Sequence, residues 1–355
     1  MSRPFLGGSV ADICHDLVST PSAYGAEGAL ADLIERRVAE LAVERERIGD
    51  SIVARTGGGG PPIALVGHFD TVPNWPDGGV ERTADRITGR GAADMKGGVA
   101  VMLALLERLA TTPRDVVMLF YDHEEGPHAD NGIHRVLAES SLLDPRPSMA
   151  IVLEPTGGTI HAGAVGSLNA QVAFRGRAAH AARPWEGENA ISVELADALG
   201  RFARRMPIAV EVDGLTYHDT VTVTMLNGGV AHNVVPDLVE LWINARVAPG
   251  GSVERAKAEV AELAGPAAEV SWSDVAPPAM PSLHEPPVRD FVERSGLPVL
   301  PKQAWTDVAT MHAWGVPAFN YGPGESSQAH QPGEWVAIER LEECERVLAA
   351  ELDLP

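Results

Sequence analysis

Several short patterns in the chain set imidazoles and carboxylates where they could bind a cation and move protons. His68 and Asp70 stand two apart behind the apolar run Ile63-Ala64-Leu65-Val66. In an extended segment that spacing turns both side chains to one face. A cation-binding imidazole is commonly held in one tautomer by a carboxylate, which suits Asp70 beside His68. Glu124 and Glu125 follow the run Val116-Val117-Met118-Leu119-Phe120-Tyr121 as adjacent acids. Successive residues face different ways there, so one can bind a cation while the other handles protons. Asp94 lies in Gly91-Ala92-Ala93-Asp94-Met95-Lys96-Gly97-Gly98, Glu154 ends the run Met149-Ala150-Ile151-Val152-Leu153, and His330 lies in the polar stretch 326–331. Taken singly, each has an ordinary explanation: a surface pair, a helix cap at Asp94, an exposed acidic turn. Together, two imidazoles and several carboxylates make a mixed nitrogen–oxygen ligand set. Such a set suits Zn²⁺ or Co²⁺ rather than Ca²⁺ or an iron–sulfur cluster. Five such groups are what two cations sharing one carboxylate need, and a cation pair lowers the pKa of a water held between them.

These residues share a context. His68, the Glu124–Glu125 pair and Glu154 each follow a short continuous apolar run, as Gly322-Pro323-Gly324 follows Pro317 to Tyr321, and helical stretches, notably 97–110 and 339–352, separate some of the runs. Uninterrupted apolar strands alternating with helices predict a mostly parallel sheet covered on both faces. Ligands of such sheets gather beyond the carboxyl ends of the strands, so the polar clusters are expected on one rim. Helices are also expected at 9–18 and 27–43, and Gly57-Gly58-Gly59-Gly60-Pro61-Pro62 reads as a turn between strands. The middle of the chain differs. Residues 168–175, 220–226 and 237–247 read as half-exposed strands, with helical patterns near 188–205 and 252–264. The fold class is therefore α/β, a mostly parallel mixed sheet with an inserted α+β unit. The expected domains are 1–166 and 279–355 for the first and 167–278 for the insertion.

At 355 residues the chain has room for about two domains of the usual ~100–200 residues. A formal net charge of −21 repels phosphate backbones and anionic lipids, which argues against nucleic-acid and membrane partners. Cys14 and Cys344 show no paired spacing, so neither a disulfide framework nor a zinc ribbon is expected. The first residues lack the apolar core of a signal peptide, and no run approaches the ~20 residues of a spanning helix. The expected location is cytoplasmic.

The segments Gly67-His68-Phe69-Asp70-Thr71-Val72-Pro73, Gly91 to Gly98, Glu124-Glu125-Gly126 and Glu154-Pro155-Thr156 resemble the co-catalytic zinc metallopeptidases. That family includes aminoacylases, acetylornithine deacetylase, glutamate-type carboxypeptidases and desuccinylases. The resemblance implies two divalent cations, with His68 and Glu154 on one, Glu125 and His330 on the other, and Asp94 bridging. It implies that Asp70 orients His68 and that Glu124 is the general base and acid. The insertion would be a ferredoxin-like lid and dimerisation domain. Within it, Gly176-Arg177-Ala178-Ala179-His180-Ala181-Ala182-Arg183-Pro184 resembles the family's histidine loop, and His180 would reach the site of a partner in a homodimer. The segments 213–217, 228–237, 305–308 and 320–324 are nearest to the family's desuccinylases. By that resemblance Asn233, Arg246, Thr306 and Gly324 hold a small anionic N-acyl amino-acid substrate. A guanidinium such as that of Arg246 offers a two-pronged fork to a carboxylate. His123 before the two glutamates and the 325–334 loop depart from the family pattern. They leave the ligand set whole and bear on which acyl group is accepted. Alternatives are another amidohydrolase or peptidase of the family and a non-catalytic protein of the same fold, the last of which is expected to have lost a ligand or Glu124.

Overall fold

In the computed structural model, residues 5–73, 79–109 and 114–354 are described. They form two compact units, one comprising Met1–Gly163, Pro281–Leu300 and Thr306–Pro355, the other Ala164–Met280 and Pro301–Trp305.

The first unit is built on a mixed eight-stranded sheet. In spatial order its strands are Glu44–Ile48, Ser51–Arg55, Arg114–Tyr121, Gly59–His68, Met149–Val152, Ala318–Asn320, Ile160–Ala162 and Val299–Pro301. The four from Arg114–Tyr121 to Ala318–Asn320 run parallel. Their side chains are buried almost throughout, as the apolar runs require of strands covered on both faces. The helix Gly97–Leu109 is apolar around most of its circumference and correspondingly buried. It packs between the sheet and the helices Val10–Val18 and Ile338–Glu351. The outermost strand, Glu44–Ile48, alternates acid and base (Glu44, Arg45, Glu46, Arg47), a pattern that discourages further strand pairing at that edge.

Two local expectations need correction. The helix expected over 27–43 is Gly28–Ala39, because the alternating charges beyond it continue as the edge strand. The Gly57–Pro62 stretch is only partly a turn. The central strand begins at Gly59, and its register with Arg114–Tyr121 shifts between Gly59 and Ile63. Pro61 and Pro62 have no N–H to give to the ladder, so the irregularity falls where they stand.

The second unit carries a five-stranded antiparallel sheet in the order Ile208–Val212, Leu215–Gly228, Leu238–Val247, Gly166–Arg175 and Glu269–Ala276. Leu238–Val247 alternates buried and half-buried residues without a break. Its inward side chains, among them Leu241 and Ile243, pack with Leu195, Ala198 and Phe202 of helix Val193–Arg204 and Val260 of helix Val253–Ala264. One helix follows the first long strand and the other follows the third, which is the ferredoxin-like plan. Among the described residues no helix is long and apolar enough to cross a membrane.

Candidate metal centre

His68 is the last residue of the central strand and is fully buried. Its Nδ1 lies 3.1 Å from the Asp70 backbone carbonyl and 3.4 Å from Asp70 Oδ1. Both are acceptors, so Nδ1 carries a proton and Nε2 is the ring atom left to bind. Among the described residues Nε2 has no hydrogen-bond partner, although it is buried. It faces three carboxylates, with Asp94 Oδ1 at 3.4 Å, Glu124 Oε2 at 3.8 Å and Glu154 Oε1 at 3.8 Å. Burial works against an imidazolium here, but the charges of Glu124, Asp70 and Asp94 prevail and hold the His68 pKa well above its ordinary value. A divalent cation would replace that proton and neutralise the acids together.

Asp94 connects this group to a second. Its Oδ1 faces His68, and its Oδ2 lies 3.5 Å from His330 Nε2. His330 Nε2 is also 3.0 Å from Glu125, whose hydrogen bond lifts the His330 pKa to about 9. His68, Asp94 and Glu125 each offer a ligand atom within 4.8 Å of the others. Both imidazoles therefore turn nitrogen toward carboxylate oxygen with one aspartate between them, and the donor set fits divalent cations.

The strands explain the convergence. His68 ends one parallel strand, and the Glu124–Glu125 loop and Glu154 follow its two neighbours, so all emerge on one rim. Asp94 sits in a non-helical turn between Gly91, whose φ of 83° is readily available only to glycine, and the helix starting at Gly97. That helix approaches the Glu154 strand closely. A Cβ on Gly98 would stand 2.3 Å from the Leu153 carbonyl oxygen. Gly98→Ala should therefore cost ~1–3 kcal/mol of stability, read from the midpoint of a urea titration. An unmoved midpoint would show that the contact relaxes freely.

Asp70 also reaches the acidic loop. Its two oxygens accept hydrogen bonds from the backbone amides of Glu124 (3.1 Å) and Glu125 (2.9 Å), so one carboxylate holds the histidine and the acidic loop together. The Glu124 side chain is 13 % exposed. Burial raises its pKa well above the carboxylate range, opposed by His68 and reinforced by Glu125, Glu154 and Asp307.

Thr306 and Gly324 belong to the same unit. Thr306 is buried and its hydroxyl makes no hydrogen bond among the described residues. Gly324 passes so close to Ala93 that a Cβ would stand 2.3 Å from its carbonyl oxygen, and the Gly324 carbonyl accepts from Gly157 N–H at 2.8 Å. Its visible work is close packing beside Asp94. His180, Asn233 and Arg246 lie in the second unit. His180 and Asn233 are exposed and adjacent, joined through Ala181 N–H to the Asn233 carbonyl at 2.8 Å. Arg246 is half-buried, donates to Asn244 Oδ1 at 2.9 Å, and has its pKa lowered by burial.

Two acids escaped the sequence reading. Asp307 is fully buried and accepts from Tyr121 Oη (2.6 Å) and Asn131 Nδ2 (2.9 Å), tying the two ends of the loop that carries Glu124 and Glu125. Its only signal was its place beside Thr306. Glu334, four residues beyond His330, bonds the turn that carries Asp94.

The family model for peptidase family M20/M25/M40 matches residues 64–353, and the chain belongs to this family. A putative succinyl-diaminopimelate desuccinylase of Mycobacterium tuberculosis is 38% identical over 341 residues, covering 94% of this chain and 95% of that one. The succinyl-diaminopimelate desuccinylase of Corynebacterium glutamicum is 34% identical over 354 residues, covering 94% and 93%. Among solved structures, a tripeptidase from Staphylococcus aureus superposes with a TM-score of 0.77 at 21% identity, covering 97% and 96% of the two chains. An M20 family metallo-carboxypeptidase from Sulfolobus solfataricus gives 0.76 at 17%, covering 98% and 99%. Both structures share the fold.

Proposed function

We propose that the chain is a di-metal amide hydrolase that cleaves N-succinyl-L,L-2,6-diaminopimelate to succinate and L,L-2,6-diaminopimelate. The observation that carries this reading is Asp94 set between His68 and His330 beside the buried Glu124. The match to two desuccinylases over 94% of the chain supports the choice of substrate. His68 and Glu154 would hold one cation, Glu125 and His330 the other, and Asp94 both. Zn²⁺ suits this ligand set best and Co²⁺ suits it as well. When bound, such cations polarise an amide carbonyl and make water acidic enough to attack near neutral pH.

Glu124 takes the proton of the attacking water and hands it to the departing amine. Burial favours its protonated form and nearby cations favour the carboxylate, so both states are within reach. Arg246 and Asn233 would bind substrate carboxylate, with Thr306 and the Gly324 backbone completing the hold, and His180 would donate to the oxyanion. In this reading 167–278 is a lid and dimerisation domain on a catalytic domain formed by 1–166 and 279–355. A second copy would cover the exposed apolar residues Ile191, Val193, Met225 and Leu226. The free, buried thiols Cys14 and Cys344 suit a reducing cytoplasm.

The test is a side-by-side assay of succinyl-diaminopimelate, acetylornithine and a dipeptide, after metal analysis of the zinc- or cobalt-loaded protein. Two cations per chain are expected. A site that pairs the succinyl carboxylate should prefer that substrate over one lacking it by about 10²-fold or more in kcat/KM. Equal turnover of acetyl or peptide substrates would replace the desuccinylase by another amidohydrolase of the family, and absence of bound metal would remove the mechanism altogether.

A further inference from the structure

The turn that carries Asp94 satisfies the amides of Ala92 and Lys96 from its own carbonyls but turns those of Ala93 and Asp94 outward to Glu334. Asp94 (φ −123°, ψ 99°) and Met95 (φ −127°, ψ 34°) are non-helical, so helical i to i−4 bonding is interrupted there. Glu334 supplies the missing acceptor. Its Oε1 accepts from Ala93 N–H at 2.9 Å and from Asp94 N–H at 3.1 Å. Its Oε2 accepts from Arg90 Nη1 at 2.9 Å, and its backbone carbonyl accepts from Gly89 N–H at 2.8 Å. The residue is 2 % exposed. The strand that follows it, Trp335–Ala337, pairs antiparallel with Arg86–Thr88, which precedes the Asp94 turn. Glu334 also closes the loop in which His330 stands, so one buried carboxylate joins the loops of two proposed ligands that are remote in sequence.

Two successive N–H groups on one carboxylate oxygen fix the orientation of the peptide planes, and through them the direction of the Asp94 side chain. Bonds to an ionised acceptor are stronger than neutral ones. A buried carboxylate needs a counter-charge, and Arg90 provides it without adding net charge beside an already acidic cluster. We propose that Glu334 is the positioning residue that sets Asp94 between His68 and His330. The inference rests on the metal-centre reading given above and deepens it. Glu334 touches no reacting atom. It acts through Asp94.

The test compares Glu334→Gln with Asp115→Asn, which breaks a buried ion pair to Arg55 elsewhere in the same unit. Each protein is stripped with chelator and titrated with Zn²⁺ and with Co²⁺, and its melting temperature is recorded metal-free. Glu334→Gln should lower metal affinity by about 10–100-fold, the usual loss when a residue that orients a ligand is removed, and should alter the cobalt absorption spectrum. Asp115→Asn should lower the melting temperature and leave affinity unchanged. Wild-type affinity in Glu334→Gln, or an equal loss in Asp115→Asn, overturns the inference. Hydrogen exchange on the unsubstituted, metal-free chain decides the matter if the variant fails to fold. The amides of Ala93 and Asp94 should be protected, and exchange at the rate of open chain overturns the inference. An unsubstituted chain that takes up no cation defeats the metal-centre reading itself, and with it the role assigned to Glu334, even where the exchange result upholds its bonds to the turn.

Discussion

With glutamine in place of Glu124, the protein should fold and keep its metal while turnover falls by about 10²–10⁴-fold, the contribution typical of a positioned proton-transfer group. The structure sets Glu124 apart from its neighbour Glu125. Glu125 stands with His68 and Asp94 in the group whose ligand atoms lie within 4.8 Å of one another. Glu124 lies outside that group, 3.8 Å from His68 Nε2 as Glu154 is, and its own backbone is fixed by Asp70 at 3.1 Å. The amide side chain of glutamine keeps the shape and leaves that backbone bond intact, but it cannot carry a proton from water to amine. The environment also suits the task. Burial lifts the Glu124 carboxyl well above the usual range, with the charges of Glu125, Glu154 and Asp307 adding to it against His68. Burial thereby favours the protonated form, which is the form that delivers a proton to the amine. Steady-state kinetics with the succinyl substrate, together with elemental analysis of the same sample, decide the case. Undiminished kcat would remove Glu124 from the chemistry. Loss of metal along with activity would make it a ligand.

Part of the candidate cluster was legible because His68, the Glu124–Glu125 pair and Glu154 each follow an apolar run, whereas Asp94 and His330 do not. Parallel strands bring such ends to one rim whatever their spacing in sequence, so the sequence alone groups His68, Glu124, Glu125 and Glu154. What holds them was less visible. Asp70 reads from its spacing as the partner of His68, yet the amides it accepts from are those of Glu124 and Glu125, on the neighbouring strand's loop. Asp307 and Glu334 are acids in loops late in the chain, and nothing local distinguishes them from solvated carboxylates. Their meaning lies in facing donors, Tyr121 and Asn131 for one, the Ala93 and Asp94 amides for the other, supplied by segments far away in sequence. A sequence displays acceptors but not the orphaned donors that call for them. Gly324 makes the same point in reverse. It was singled out for substrate, and the structure shows the close approach to Ala93 that a side chain would block.

His180→Ala is expected to cut kcat by about 10²–10³-fold, the usual penalty for removing one donor to a developing oxyanion. The residue is exposed, on the short strand Ala179–His180 paired with Val234–Val235. Its substitution should therefore leave the melting temperature nearly unchanged. Its ring is already arranged to donate. Nδ1 accepts from Ala182 N–H at 3.0 Å, so in the neutral imidazole the proton sits on Nε2, directed away from its own backbone. Why an exposed histidine should matter to a reaction on another unit is answered by the homodimer proposed above, in which it serves the partner's site. Mixing His180→Ala with Glu124→Gln subunits tests that directly. Each mixed dimer then holds one complete site, with Glu124 from one chain and His180 from the other. Random reassortment of equal amounts into two-fold dimers should recover about a quarter of wild-type activity. If His180 served its own chain's site, every site in the mixed dimer would lack one of the two groups. Activity would then stay at the sum of the two inactive parents, and unimpaired turnover in His180→Ala alone would show that the oxyanion is held without it.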